Sequence, residues 1–397
     1  MPSVLCVFGT RPEAIKMAPV VRALRGSKQL SVKICVTGQH RSLLDQVLHL
    51  FAIHPDYDLN IMRDNQTLFD VTAAALIGLN GVLSDTRPAL VLVHGDTTTT
   101  LAAALAAFYH RIPVGHVEAG LRTGQRYSPF PEEVNRHLIG GIADFHFAPT
   151  SSAVRNLLAE NISPTTIHLT GNTAVDAVLY TAANGRSFPD LQCLWGERQP
   201  LLMTLHRREN FGQPLDEILN AVAGFVRRHP GIHVVYPVHP NPNVRRAAHG
   251  ALANLSNVSL LEPVGYEEMV FLIRRCFFIM TDSGGLQEEA PTFCRPVLVF
   301  RDNTERPEAL EAGCSLLVGH QRERIEAALE SLVAPGSPLY WSMSRAVSPF
   351  GDGTAATKIV GVLERSLLSG AVRSEPINSS DVQPWRKSMA VQQAEHQ

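Results

Sequence analysis

Three acidic positions in the middle of the chain could carry acid–base chemistry. Asp96 and Glu118 follow two apolar runs, residues 89–93 and 113–117, and Glu132 follows a proline-bounded loop. Any one of these acids, taken alone, could equally cap a helix or face solvent. Together they could bring carboxyl groups into one crevice, where they would act as general acids and bases.

The segment that contains the first two acids is predicted to form one parallel βαβ unit. Between the runs at 89–93 and 113–117, an Ala- and Leu-rich stretch is typical of a helix that ends near Tyr109. Ligands of parallel sheets bind outside the carboxyl ends of the strands, which is where the first two acids would lie. Gly95 and Gly120 keep the backbone beside them open.

Strands alternate with helices along the whole chain, which predicts an α/β protein with two Rossmann-like, doubly wound domains and a cleft between them. The 397 residues are too many for one ordinary core, and the segment 184–199, rich in Gly, Pro and Asn, is the predicted linker. We expect an N-terminal domain with the acid–base residues over 1–175. A nucleotide-binding domain would follow over 176–370 and a disordered tail over 371–397.

Two cations follow the first predicted strand, residues 4–8. Gly9 allows a tight turn, Pro12 suits the first turn of a helix, and Arg11 and Lys16 lie beside the opening of that helix. A helix N-terminus with nearby cations favours a bound phosphate. The alternative is that both side chains are solvated, as a lone Arg or Lys ordinarily is.

A second phosphate-binding pattern is predicted in the C-terminal half. Ser283, Gly284 and Gly285 separate a strand from a helix, so that backbone amides could approach a diphosphate. Glu289 could accept hydrogen bonds from ribose hydroxyls, and Arg306, at another helix start, could reach the same phosphates. The motif alone is weak, because many such turns carry small residues for backbone reasons.

His206 ends a strand beside two arginines, where it would contact phosphate or move a proton, unless the loop is simply solvated. His94 alternates with Asp96, and His116 with Glu118, so these pairs could ligate a divalent cation. The row of threonines that follows supplies no further ligand of the usual kind. We therefore predict no metal site.

The composition argues against several classes of protein. The 37 acidic and 35 basic residues nearly balance, which argues against a nucleic-acid binder driven by bulk charge. The six cysteines are scattered without a CxxC motif, as in a reducing compartment. We see neither a signal peptide nor an apolar run of membrane-spanning length, and expect a cytoplasmic protein that binds no membrane.

Nine motifs, in order, resemble those of the non-hydrolysing UDP-N-acetylglucosamine 2-epimerases. They span roughly residues 4–365, which is nearly everything except the tail, and so many motifs in one order are very specific. In chain order they are GTRPEAIKMAP, QHR, VHGDTTTT, GHVEAGLRT, SPFPEE, TGNT, HRREN, DSGGLQEEAP and TERPEAL.

The resemblance implies a fold like that of B-type glycosyltransferases, a homodimer, and interconversion of UDP-N-acetylglucosamine and UDP-N-acetylmannosamine without metal or other cofactor. Such enzymes supply N-acetylmannosamine for surface polysaccharides. The implied reaction is anti elimination of UDP to 2-acetamidoglucal, followed by re-addition after carbon 2 is reprotonated on its other face. It needs an acid and a base on opposite faces of the sugar, and cations on the departing diphosphate.

The family's site residues transfer to this chain by motif. Asp96, Glu118 and Glu132 resemble its acid–base residues, and His206 resembles its histidine beside the diphosphate. The positions that resemble its nucleotide contacts are Arg11, Lys16, Ser283, Gly284, Gly285, Glu289 and Arg306.

Bacterial members of the family are also activated by UDP-N-acetylglucosamine at a second site. The positions that resemble this site are Gln39, Gln66, Arg207 and His239. The chain departs from the family at three positions. Ser42 and Asn65 stand where relatives often carry Gln and Arg, and Leu205 stands where a small residue is expected.

Three other functions fit the same predicted fold. The main alternative is a glycosyltransferase that passes a sugar from UDP to an acceptor, but no basic or amphipathic stretch suited to a membrane-linked acceptor is evident. A nucleotide-sugar sensor would not need three acids at the sugar. A hydrolysing epimerase would release free N-acetylmannosamine.

Overall fold

The computed structural model describes residues 1–38, 41–63 and 65–369, and for residues 41–43 the backbone alone. Within these ranges, seven parallel strands form the first sheet, in the order β3-β2-β1-β4-β5-β6-β7. The strands are β1 Ser3–Phe8, β2 Ser31–Val36, β3 Tyr57–Asp58, β4 Leu90–His94, β5 Val114–Val117, β6 Phe145–Ala148 and β7 Ile167–Leu169.

A second sheet of six parallel strands lies in the C-terminal half of the described chain, in the order β10-β9-β8-β11-β12-β13. The strands are β8 Gln199–Thr204, β9 Ile232–Pro237, β10 Val258–Leu261, β11 Ile279–Thr281, β12 Val297–Val299 and β13 Ser315–Leu317. The strand order reverses between β1 and β4 in one sheet and between β8 and β11 in the other. Ligands of doubly wound sheets bind at such reversals, outside the carboxyl ends of the strands.

Helices connect the strands and cover both faces of each sheet. In the first half they are α1 Arg11–Gly26, α2 Arg41–Leu50, α3 Leu68–Thr86, α4 Thr98–Tyr109, α5 Glu132–Ile142, α6 Ser151–Ala159 and α7 Thr173–Asn184. In the second half they are α8 Pro189–Cys193, α9 Gln213–Arg228, α10 Pro242–Leu252, α11 Tyr266–Arg275, α12 Gly284–Glu289, α13 Pro307–Glu311, α14 Arg322–Val333, α15 Pro338–Ser344 and α16 Ala355–Leu368.

The predicted two-sheet α/β architecture is confirmed. The central strands are apolar because helices cover both of their faces, and every residue of β4 and β5 is buried. Strands β3 and β13, of two and three residues, were not predicted, because both are too short to show a periodic pattern. Cys6, Cys35, Cys276 and Cys314 are buried thiols, as predicted for the cysteines in apolar segments.

The last described helix returns to the first sheet. Ala356, Ile359 and Leu363 of α16 are buried in the same apolar core as Phe8 and Met17. Helix α7 packs against α1 and spans the predicted boundary at 175 and 176. The exact division into domains stays a prediction.

Helix α3 is longer and more apolar than we expected of any segment of this chain. Its 19 residues are long and apolar enough to cross a membrane, by length and composition alone, so the expectation that no segment reaches this length is wrong. The charged residues Asp70 and Asp85 interrupt the apolar pattern at its two ends. One side of α3 packs along α4, and 28% of its apolar window is buried.

Candidate active site

The carboxyl ends of β4 and β5 bring two of the predicted acids to one crevice. His94 pairs with Val117 in the parallel register, so Asp96 and Glu118 follow neighbouring strands, as predicted. Glu118 has a left-handed backbone with φ 64°, a conformation that is unfavourable for a residue with a side chain. Such strain persists where the surroundings hold it, and here it accompanies a buried carboxylate in ionic contact with Lys16.

Lys16 joins the two halves of the molecule. Its ammonium contacts the carboxylate of Glu118 and lies 2.9 Å from that of Glu288 on α12. Burial disfavours the charged ammonium, but the two carboxylates outweigh it and raise the pKa of Lys16. Burial alone would raise the pKa of Glu118, but Lys16, His94 and Arg306 together outweigh it and hold that pKa well below its ordinary value.

A buried acid anchors the turn that carries Lys16 and Arg11. The Glu13 carboxylate accepts hydrogen bonds from the backbone N–H groups of Gly9 and Thr10, at 3.1 and 2.7 Å. Its other oxygen accepts from the hydroxyl groups of two threonines at the start of α4, at 2.7 and 2.8 Å. The β1–α1 turn is thereby fixed against the helix that follows Asp96.

Asp96 is held by a cation that the sequence analysis did not single out. Two nitrogens of Arg136 lie 2.9 and 2.6 Å from one Asp96 carboxylate oxygen. The same guanidinium donates to Glu133, whose carboxylate also accepts from the N–H groups of Thr123 and Gly124. This network fixes α5 and the loop before it relative to β4.

The pKa of Glu132 is shifted in the opposite direction to that of Glu118. It begins α5, and one of its carboxylate oxygens is buried without a hydrogen-bond partner among the described residues. Burial, with the nearby charge of Asp96, raises the pKa of Glu132 above its ordinary value. The pKa of Glu118 is therefore lowered and that of Glu132 is raised, and a raised carboxyl pKa, which lies nearer to neutral pH, suits proton exchange.

His206 extends from the end of β8 and is oriented by Asp282, which follows β11 and is fully buried. The carboxylate of Asp282 lies 3.0 Å from His206 Nδ1 and accepts from the N–H groups of His206 and Arg207. The amide of Asn210 donates to the same carboxylate at 3.0 Å. Burial alone would raise the pKa of Asp282, but His206 and these hydrogen bonds lower it.

A cavity of about 350 Å³ opens between the two sheets at the strand reversals. The predicted nucleotide-binding residues that line it are Arg11, Lys16, Ser283, Gly285 and Glu289, and the predicted catalytic residue is His206. A Cβ atom added to Gly284 would lie 3.7 Å from Arg207 and 4.0 Å from Arg306, so both guanidinium groups approach this turn. The cavity therefore has cationic side chains at one end and apolar side chains along one wall.

Glu289 is buried beside a second acid. The hydroxyl group of Tyr266 donates to its carboxylate at 3.1 Å. Burial and the adjacent Glu288 raise the pKa of Glu289 from 4.5 to about 7, although Lys16 and Arg11 oppose the shift. Near neutral pH the folded protein therefore holds a proton that the unfolded chain would release.

This shift predicts a pH-dependent stability for Glu289→Gln. Because the folded-state pKa is raised, wild-type stability falls as the pH rises from 4.5 through about 7. The variant should therefore be more stable than wild type at pH ~8, by on the order of 1–3 kcal/mol, and about equal to it at pH ~4. Denaturant unfolding at both pH values measures this, with the exposed Glu197→Gln as control. A constant difference at both pH values would contradict the shift.

The described residues that are predicted for a second site do not all line the cavity. His239 lines the cavity, and its ring lies 6.2 Å from that of His206. Arg207 approaches Gly284, but the side chain of Gln66 accepts from Arg63 and donates to Ile61, so it holds its own loop. Gln39 lies outside the described residues, as does the side chain of Ser42.

The structure also adds residues that the sequence analysis did not assign to the site. Arg136 follows Glu132 by four residues, a helical spacing that could have indicated it. Asp282 and Glu288 lie in the motif DSGGLQEEAP, and Asp282 directly follows a strand, but their contact partners are distant in the chain and are seen in the folded structure alone. Leu205, the predicted departure, is 2% exposed and lines the cavity wall.

Comparison with known proteins identifies the family. The chain matches the family model described as UDP-N-acetylglucosamine 2-epimerase over residues 22–364. The UDP-N-acetylglucosamine 2-epimerase of Escherichia coli K12 is 50% identical over 374 residues, which cover 92% of this chain and 99% of the relative.

Solved structures agree with this match. The Neisseria meningitidis UDP-GlcNAc 2-epimerase bound to UDP-GlcNAc has a TM-score of 0.85 and 44% identity, covering 91% of this chain and 100% of that one. The Methanocaldococcus jannaschii UDP-GlcNAc 2-epimerase in complex with UDP-GlcNAc and UDP has a TM-score of 0.77 and 33% identity, covering 91% and 99%.

These matches confirm the predicted fold and enzyme class, and they do not support the glycosyltransferase alternative. The nine motifs, the strand reversals and the paired acids and cations agree with them. The chain therefore belongs to the UDP-N-acetylglucosamine 2-epimerase family.

Proposed function

We propose that this protein reversibly epimerises carbon 2 of UDP-N-acetylglucosamine, giving UDP-N-acetylmannosamine. The observation that carries the proposal is the junction of acids and cations at the cleft, where Lys16 contacts both Glu118 and Glu288. The family match and the UDP-GlcNAc bound by the Neisseria relative support this substrate.

The proposed reaction needs no reagent other than the substrate, because the proton and UDP that leave the sugar are both replaced. A carboxylate removes the proton on carbon 2, the electron pair of that bond forms the carbon 1–carbon 2 double bond, and UDP leaves with the electrons of the bond to its oxygen. Reprotonation of carbon 2 on the other face and return of UDP to carbon 1 complete the reaction. Asp96, Glu118 and Glu132 are the proposed acid–base residues, and the raised pKa of Glu132 supports a role as the acid.

The remaining predicted residues are proposed to bind UDP. Arg11, Lys16, His206 and Arg306 would stabilise the diphosphate, whose charge grows as it leaves. The turn formed by Ser283, Gly284 and Gly285 has no large side chain to block a nucleotide. Glu289 would accept hydrogen bonds from the ribose hydroxyl groups.

Proton NMR of the purified protein with UDP-N-acetylglucosamine in deuterated water tests the proposal. We expect UDP-N-acetylmannosamine to form with deuterium at carbon 2 and without free sugar. Deuterium enters because carbon 2 loses its original proton in the elimination. Free N-acetylmannosamine would instead indicate a hydrolysing enzyme, and no reaction at all would contradict the proposal.

We also propose a second UDP-N-acetylglucosamine site that includes Arg207 and His239. Their approach to the cavity supports this assignment, whereas the hydrogen bonds of Gln66 leave that residue less available. The test is the rate with UDP-N-acetylmannosamine as sole substrate. A hyperbolic dependence that added UDP-N-acetylglucosamine does not change would contradict activation.

The homodimer is likewise a proposal, supported by an exposed apolar stripe on α3. Phe69 and Ile77 are 87% and 75% exposed and lie two helical turns apart, with the exposed Ala73 between them. Exposed Phe108 and Tyr109 end the neighbouring helix α4. Contiguous apolar surface of this kind is typical of an interface.

We predict that Ile77→Asp shifts the protein from dimer to monomer, because the substitution places a charge in the apolar stripe. Sedimentation velocity at micromolar concentration measures the change. Val347→Asp is the matched control, since Val347 is 84% exposed and lies outside the stripe. If the wild-type protein is already a monomer, the proposed interface is wrong.

We infer a cytoplasmic location as well. All six cysteines are free thiols in the structure, and Cys193 and Cys294 are exposed, which suits a reducing compartment.

A further inference from the structure

Glu288 has no part in the chemistry described so far, yet it lies at the centre of the charged cluster. Its side chain is fully buried on α12. One carboxylate oxygen contacts Arg306 Nε, and the other lies 2.9 Å from Lys16 Nζ. Glu288 therefore binds one cation from each half of the molecule.

These contacts belong to an alternating chain of charges. Glu118, Lys16, Glu288 and Arg306 follow one another, with two negative and two positive groups. Removing a carboxylate from water is costly, and the two cationic partners of Glu288 offset part of that cost. If either partner moved away, Glu288 would be left buried beside a single cation, so the cluster keeps both cations in place.

Both cations also face the proposed diphosphate site. Lys16 lines the cavity, and Arg306 approaches the backbone of Gly284. An acid at this position is unfavourable for a bound anion if charge alone is considered. Glu288 must therefore contribute something other than its charge for the site to bind a diphosphate well.

We propose that Glu288 is a positioning residue that fixes Lys16 and Arg306 at the diphosphate of the UDP-sugar. It holds the flexible Lys16 side chain from one domain and the planar guanidinium of Arg306 from the other at a set separation. This inference rests on the proposed function, because it assumes a substrate with a diphosphate.

The Glu288→Gln variant separates positioning from simple charge. If charge alone mattered, removal of the negative group would strengthen UDP binding. If Glu288 positions the cations, UDP affinity falls, by about 10- to 100-fold, because a neutral glutamine amide cannot form ion pairs with the two cations. Uridine affinity should stay within about twofold of wild type, since uridine has no phosphate for Lys16 and Arg306 to bind.

Calorimetric titration with UDP and NMR titration with uridine provide the readouts, with the exposed Glu311→Gln of α13 as control for the loss of one charge. Glu288→Asp is a second variant, and the decisive one if Glu288→Gln does not fold. The aspartate side chain keeps the charge but is too short to reach both cations. This variant should therefore also weaken UDP binding and leave the uridine affinity unchanged.

Unchanged or tighter UDP binding in both variants would overturn the proposal, and so would an equal loss of uridine affinity, which would indicate general damage to the cavity. Failure of the wild-type protein to bind UDP would instead contradict the proposed function. The two failures are therefore distinguishable.

Discussion

Asp96→Asn should retain UDP binding and lose turnover by about 10²- to 10⁴-fold, the range for removal of a general acid or base. Asparagine has nearly the same shape as aspartate, and its carbonyl oxygen can still accept from Arg136, which lies 2.6 Å from the Asp96 carboxylate. The amide cannot take up or release a proton in the reaction. We expect the loss to appear in kcat, measured by NMR or by a coupled assay with UDP-N-acetylglucosamine.

The matched control is Asp216→Asn, which removes the same charge from an exposed position on α9. It should leave kcat and the UDP affinity unchanged. A wild-type rate in Asp96→Asn would exclude a catalytic role for Asp96. A loss of UDP affinity as large as the loss of kcat would indicate that Asp96 acts through Arg136 on the shape of the cleft.

Asp282→Ala should destabilise the second domain by roughly 2–4 kcal/mol and greatly lower kcat. The alanine leaves the backbone N–H groups of His206 and Arg207 without their acceptor and removes one of the two acceptors of the Asn210 amide. Buried donors without partners are costly, and the loop that presents His206 loses its anchor. Denaturant unfolding and steady-state kinetics measure the two effects.

Asp282→Asn distinguishes the effect of Asp282 on the orientation of His206 from its effect on the free energy of unfolding, because asparagine keeps the size of the side chain. If Asp282 acts through His206, the kcat losses of Asp282→Asn and His206→Gln should be far from additive in the double variant. Additive losses would contradict this coupling. Asp302→Asn is the control, since Asp302 is 74% exposed in the same domain.

Much of the site is predictable from local pattern. Asp96, Glu118 and Ser283 follow apolar runs, and parallel strands with crossover helices bring their carboxyl ends to one edge of a sheet. That rule predicts that these residues lie at the carboxyl edges of their sheets before any distance is known. Strand β3 could not be predicted in this way, because its two residues are too few to show a periodic pattern of apolar side chains.

The fold class, the family and the neighbourhood of the acids can be inferred from the amino-acid sequence, since these depend on motifs and on the spacing of strands and helices. The contacts of Arg136 with Asp96 and of Lys16 with Glu288, and the return of α16 to the first sheet, are seen in the folded molecule alone. Ion pairs and pKa values depend on burial and on partners far away in the chain, and local spacing encodes neither.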